Sequence, residues 1–199
     1  MKPWGIALGL VLGQVATAAA PDGPWRLEGN NLILDGYNLV VQNGNIIVGE
    51  STDVIGVNNI VVGENNVVVG DDNVVAGQDH VVFGDYVAAF GRGHLLLVDY
   101  ASAFGGYKQQ VYGDGMYGTV CGGLYNSVTG QYGAVSGGYQ NYCQGPYCWQ
   151  GGGNHNQASA SLSTTVGGLF VRASGVRSTA VGGLGTQADG LDETVVGIP

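Results

Sequence analysis

Basic residues are scarce in this chain. Six Lys and Arg stand against fifteen Asp and Glu, for a formal charge of −9. Nucleic-acid binding needs a basic footprint to neutralise phosphates, and electrostatic docking on anionic lipid needs a basic cluster. The composition supports neither. Proline is equally sparse, with five residues beside 38 glycines, which excludes collagen. β-branched residues are plentiful, so a disordered chain is not implied. The three cysteines are Cys121, Cys143 and Cys148; an odd count leaves one thiol over or pairs it between chains. Proximity in sequence alone makes Cys143–Cys148 the candidate bridge, and the alternative is three small buried hydrophobes. There is no apolar run of membrane-spanning length. The longest one, Ile6 to Val15, follows Lys2 and leads into Ala16-Thr17-Ala18. That reads as a secretory signal peptide over residues 1–18, and so as an exported chain, secreted or at the cell surface, without membrane insertion.

What is abundant is repetition. Glycine recurs at 49, 56, 63, 70, 77, 84 and 91, and again at 105, with Val98 in the one vacant slot. Three apolar residues usually precede each position, as in Ile60-Val61-Val62, Val67-Val68-Val69 and Val81-Val82-Phe83. The register extends back to Leu32-Ile33-Leu34 and Leu39-Val40-Val41, and Asn often leads the triplet: Asn45, Asn59, Asn66, Asn73. A coiled coil also has period seven, but a glycine in every heptad costs a helix about 1 kcal/mol each. Contiguous β-branched triplets favour strands instead. Each heptad therefore predicts a short strand and a turn, with Gly, Asn or Asp supplying positive φ.

From Gly105 the punctuation becomes Gly-Gly, at 105, 122, 137, 152, 167 and 182, with a spacing of fifteen after 122. Fifteen is two heptads plus one residue. One coil of a solenoid then takes two heptads, with a strand on each side. The expected fold is all-β: a single-domain parallel β-roll, or β-solenoid, with two short strands per 14–15-residue coil. The boundaries follow the repeats: signal peptide 1–18, N-terminal cap 19–31, heptad roll 32–105, fifteen-residue roll 106–199. Alternation along a strand is taken to place the first and third triplet residues inside. The middle residues Val61, Val68, Val75 and Val82 then form an outward apolar stripe, which reads as an oligomer interface, most simply of a homotrimer.

Asn66-Val67-Val68-Val69-Gly70, Asn126-Ser127-Val128-Thr129-Gly130 and Ser178-Thr179-Ala180-Val181-Gly182 resemble the repeats of YadA-type trimeric autotransporter adhesin heads, over about residues 32–197. The resemblance implies a left-handed parallel roll, trimeric assembly and adhesion to matrix or cells. The family continues into a coiled-coil stalk and a membrane β-barrel. Neither follows Gly197-Ile198-Pro199 in this sequence.

Tyr117, Tyr132 and Tyr147 recur at fifteen and should stack one per coil, with Trp149 nearby. Such a ladder is either a structural stack or a platform for sugar rings or a protein partner. His80 and His94, fourteen apart, replace the leading Asn and should stack on one edge; no third ligand for a metal is evident, and His155 has no partner. Glu50, Glu64, Asp71, Asp72 and Asp85 follow turn glycines and read as solvated turn residues, not as a calcium site. No nucleophile elbow, zinc motif or His–acid–Ser set occurs, so no catalytic residue, cofactor or metal is expected. The expected function is a non-enzymatic, adhesin-like surface protein that binds extracellular matrix, a cell-surface protein or a glycan. A structural coat is the alternative. An ice-binding surface ranks below both, because Thr is sparse. A hexapeptide acyltransferase has the wrong period.

Overall fold

The computed structural model describes residues 25–28, 31–34, 41 and 43–198. The segment read as a signal peptide and the Leu39-Val40 pair lie outside these residues. The chain falls into two compact units, 1–40 and 41–199. In the first unit, Trp25–Glu28 pairs antiparallel with Asn31–Leu34, so that Arg26 faces Ile33 and Leu27 faces Leu32. Leu32-Ile33-Leu34 is thus a hairpin strand and not the first heptad of the roll. Its register lacks the corner glycine, which is Asp35 here, and Gly29-Asn30 is a two-residue hairpin sequence.

The second unit is a parallel β-solenoid. No helix occurs among the described residues. Successive triplets alternate between two sheets. One has eleven strands, running from Ile46–Val48 to Thr194–Val196; the other has ten, from Asp53–Ile55 to Gln187–Ala188. Every ladder contact in both sheets is parallel, one coil to the next. Val61 pairs with Val75 and Val68 with Val82, fourteen residues apart, while Val120 pairs with Val135, fifteen apart. The change from fourteen to fifteen occurs as a register shift between Phe104 and Tyr107, where Gly105-Gly106 supplies the extra residue.

Within each coil the interior is one side chain deep per strand, and it is the middle triplet residue that fills it. Val61, Val68, Val75 and Val82 are 0 % exposed and lead a column that continues through Leu96, Val111, Val120, Val128 and Val135. The expected outward stripe on these four valines is therefore corrected: they are the core, not an interface. Alternation holds, but its phase is set by the leading polar residue. Asn59, Asn66, Asn73, His80 and His94 are buried too, and each shares a face with the middle residue two positions on.

Those polar residues form a ladder through the corner of the roll. Asn66 Oδ1 accepts the N–H of His80 at 3.1 Å, and Asn126 Oδ1 accepts that of Asn141 at 2.9 Å. Asn141 Oδ1 takes Asn156 N–H at 3.0 Å, and Asn156 Oδ1 takes Val171 N–H at 2.8 Å. The amide nitrogens donate to glycine carbonyls, as Asn141 Nδ2 does to Gly137 and Gly153. Buried polar groups at a sheet corner would otherwise be left unpaired at a cost of about 1–3 kcal/mol each. Leading Asn residues are thus inter-coil ties. Positive φ falls on the residue before them, at Asn58, Asn65, Asp72 and Asp79.

Further along, the core changes character. Gln150 and Thr165 occupy inward positions, joined by a hydrogen bond from Thr165 Oγ1 to Gln150 Oε1. They separate the valine-rich cluster from a smaller one of Val171, Ala173, Ala180 and Ala188. Cys143 and Cys148 are disulfide-bonded within one coil, with Cα atoms 5.6 Å apart and both side chains buried; Cys121 is free and exposed.

Candidate functional site

The solenoid's corners carry two aromatic rows. Tyr117, Tyr132 and Tyr147 stack as the fifteen-residue spacing implies, with ring centroids 4.8 and 4.9 Å apart and planes within 10° of parallel. The ladder is longer than these three. Tyr100 stacks on Tyr117 at 4.7 Å and Tyr86 on Tyr100 at 5.0 Å. The two additional rungs were hidden by arithmetic: Tyr86 and Tyr100 belong to the fourteen-residue part, and a seventeen-residue step separates Tyr100 from Tyr117. All five tyrosines have φ between 57° and 61°. The left-handed conformation costs a non-glycine residue about 1–2 kcal/mol. It is held because each backbone N–H bonds the previous coil, Tyr132 to Met116 O at 3.0 Å and Tyr147 to Gln131 O at 2.8 Å.

Stacking decides what this row can offer. The inner rings spend both faces on one another, so the ladder presents edges and hydroxyls and not flat ring faces. Trp149 stands apart from it, on the outer face of the eleven-stranded sheet between Ala134 and Thr164. Trp149 lies over Gly151, where a Cβ would come within 2.8 Å of the indole.

The second row was not anticipated. Tyr107, Tyr125, Tyr139, His155 and Phe170 follow the opposite corner, with centroids 5.2–6.2 Å apart and mostly edge-to-face. Lys108 Nζ sits 5.2 Å from the Tyr107 ring centroid and 5.7 Å from that of Tyr125. His155, without a partner in the sequence reading, packs between Tyr139 and Phe170. The row's signal in the sequence is its position after Gly-Gly: Tyr107 and Tyr139 are the first residue after a pair, and Tyr125, His155 and Phe170 the second.

His80 and His94 stack at 4.9 Å and take over the Asn role. His80 Nδ1 accepts the N–H of His94, and His94 Nδ1 accepts that of Gln109, both at 3.1 Å. His94 Nε2 lies 2.8 Å from Phe90 O, so it carries the proton. Burial, and then the neighbouring His94, push the His80 pKa down to about 4; burial also lowers that of His94. Protonation would convert an accepting Nδ1 into a donor aimed at a backbone N–H. The unfolded histidine titrates near 6.5, so the pair's contribution is complete above that pH. It is lost as pH falls towards about 4, by about 3 kcal/mol for His80 alone. Urea unfolding at pH 7 and pH 4.5 should show this loss. H80N/H94N, which restores the ladder's own residue, should remove most of it; an undiminished acid loss in that variant would refute the assignment.

The acidic turn residues also tie coils together. Asp71 Oδ1 accepts Val57 N–H at 2.7 Å, Asp85 Oδ1 accepts Asp71 N–H at 2.8 Å and Asp99 Oδ1 accepts Asp85 N–H at 2.9 Å. No group of three or more potential metal ligands occurs among the described residues.

The outer faces differ between the two halves. Ile60, Val62, Val74 and Phe104 on one sheet, and Ile55, Phe83 and Leu97 on the other, are exposed hydrophobics. In the second half the first triplet positions carry Thr164, Thr179 and Thr194 on one side and Gln157, Arg172 and Gln187 on the other, while Val166, Val181 and Val196 keep the third position of the eleven-stranded sheet apolar. Beside the tyrosine corner lies a groove of about 370 Å³, lined by Val98, Gly113, Asp114, Met116, Thr129, Gly130, Gln131, Gln144 and Pro146. Neither the family models nor the curated proteins contain a match to this chain.

Proposed function

We propose that this protein is a secreted or surface-displayed, non-enzymatic, adhesin-like module that self-associates, most simply as a homotrimer, and contacts extracellular matrix, a cell-surface protein or a glycan through its repetitive corners. The observation that carries the reading is the apolar outer surface of the first half. Its first and third triplet residues face outward on both sheets, some half-buried, as Val67 and Val81 are, and others exposed: Val74 is 39 % exposed, Phe104 45 % and Phe83 46 %. Contiguous apolar surface of that kind marks protein contacts. Two apolar faces on one protomer suit a cyclic assembly, in which each copy meets two neighbours through different surfaces. The ladder of exposed tyrosines supports the contact role, because stacking holds its ring edges and hydroxyls in place, so little side-chain entropy is lost when a partner meets them.

Sedimentation velocity tests the assembly. The wild-type chain should run as a trimer, and V62K/V74K should run as a monomer. The substituted side chains leave the core untouched, so the melting temperature should fall only by the amount that dissociation explains. A wild-type monomer that binds nothing on an array of matrix proteins and glycans would end the reading.

A further inference from the structure

We propose that the groove beside the tyrosine corner is a binding site for a neutral, extended polysaccharide. This rests on the adhesin-like reading and narrows its ligand. The groove arises where the repeat is broken. Gln110 pairs with Ser127 and Ser102 with Thr119, both seventeen residues apart, whereas the following coils step by fifteen. The two extra residues are Gly113 and Asp114. The turn closes again at Gly115, whose carbonyl accepts Gly118 N–H at 2.8 Å, as Gly130 does for Gly133 one coil later. The insertion thus forms a lip on an otherwise regular corner. Behind it runs a depression over four coils, from Val98 past Thr129 to Gln144 and Pro146.

The lining is two-sided. Val98, Met116 and Pro146 offer apolar contact, while Asp114, Thr129, Gln131 and Gln144 offer a carboxylate, a hydroxyl and two amides. A pyranose has the same division, with a face of C–H groups and a rim of hydroxyls that both donate and accept. Gly113 adds no side chain to the lip, and the nearest atom to a carbon built there is Thr129 Cβ at 3.9 Å. The polar groups are available: among the described residues no side-chain hydrogen bond engages Asp114, Thr129 or Gln131, and Gln144 uses only Oε1, accepting Gln157 Nε2 at 2.7 Å. Coils repeat roughly every 5 Å, which lets successive sugars meet equivalent positions. The absence of Lys or Arg from the lining, and a chain charge of −9, select a neutral glycan over a uronate or sulfated one.

Titration calorimetry on the full mature chain tests this. The probes are hexasaccharides of β-1,4-linked glucose, N-acetylglucosamine and mannose, with a hexauronate as the anionic counterpart. At least one neutral probe should bind. D114A and Q131A should each weaken it tenfold or more, and deletion of Gly113-Asp114, which restores the fifteen-residue step, should abolish binding. Circular dichroism and melting curves report whether each variant folds, and the two single substitutions decide the matter if the deletion does not. No neutral binding, unchanged affinity in D114A and Q131A, or preference for the uronate overturns the proposal. If the neutral probes fail while a purified matrix protein is bound, the groove assignment falls and the adhesin-like reading stands. If both fail, both readings go.

Discussion

Val75→Asp is expected to unfold the solenoid, while Val74→Asp, one residue away, leaves it folded. Val75 is 0 % exposed and packs in the single-residue-deep core; Val74 is 39 % exposed on the outer face of the same strand. A carboxylate at position 75 would be buried with no cation available, at a cost of several kcal/mol, and the lost valine burial adds about 1.5–3 kcal/mol. At position 74 the carboxylate reaches water within the protomer, where only packing against Ile60 and Ala88 in the neighbouring coils is lost, about 1 kcal/mol or less, beside whatever stability the proposed assembly adds. Urea midpoints of the two variants measure the difference directly. Equal destabilisation, or a larger loss in Val74→Asp, would mean that the strands face the other way. Marginal stability makes the outcome at 75 decisive, because a domain of this size holds only about 5–15 kcal/mol in reserve.

Gly63→Ala should cost nearly as much through a different cause. Gly63 has φ +127°, a conformation that an L side chain rarely adopts. A Cβ there would stand 1.8 Å from the carbonyl oxygen of Gly77, the equivalent corner one coil on. Nothing flexible lies in the way, only backbone, and Gly63 and Gly77 are ladder partners. The coil must open to admit even a methyl group, with a loss of more than about 3 kcal/mol, comparable to other severe backbone substitutions. Gly105→Ala is the contrast: its φ is +73°, yet no atom lies within 4 Å of the added carbon. Only the left-handed strain remains, about 1–2 kcal/mol. Thermal melts of the two variants should be well separated; coincident melts would show that coil contact is not what requires glycine at 63.

The wrong phase for the valine column is instructive. Asn59, Asn66 and Asn73 were visible in the sequence as leaders of their triplets, and alternation fixes them to the same face as Val61, Val68 and Val75. Reading Asn as a turn residue turned the strand over. Its burial is decided by hydrogen bonds to another coil, and such bonds have no signature within one heptad. The same holds for His80 and His94, whose stacking followed from spacing but whose role as backbone acceptors did not. The Tyr117–Tyr132–Tyr147 stack was legible because its period is constant. Tyr86 and Tyr100 fell out of it where Gly105-Gly106 and Gly113-Asp114 change the coil length. The groove residues Asp114, Gln131 and Gln144 meet only because that insertion lifts a lip beside them.

The sequence alone determined the strand-and-turn character, the two strands per coil and the stacking partners. A repeat of fixed length places equivalent residues in register, and triplets of β-branched residues closed by glycine leave no other regular structure. Tertiary structure alone decided which side of each strand is inside and which polar residues tie coil to coil. Those outcomes depend on how the Val, Asn and Gly of one coil fit the backbone of the next, and that fit exists only after the chain has wound onto itself.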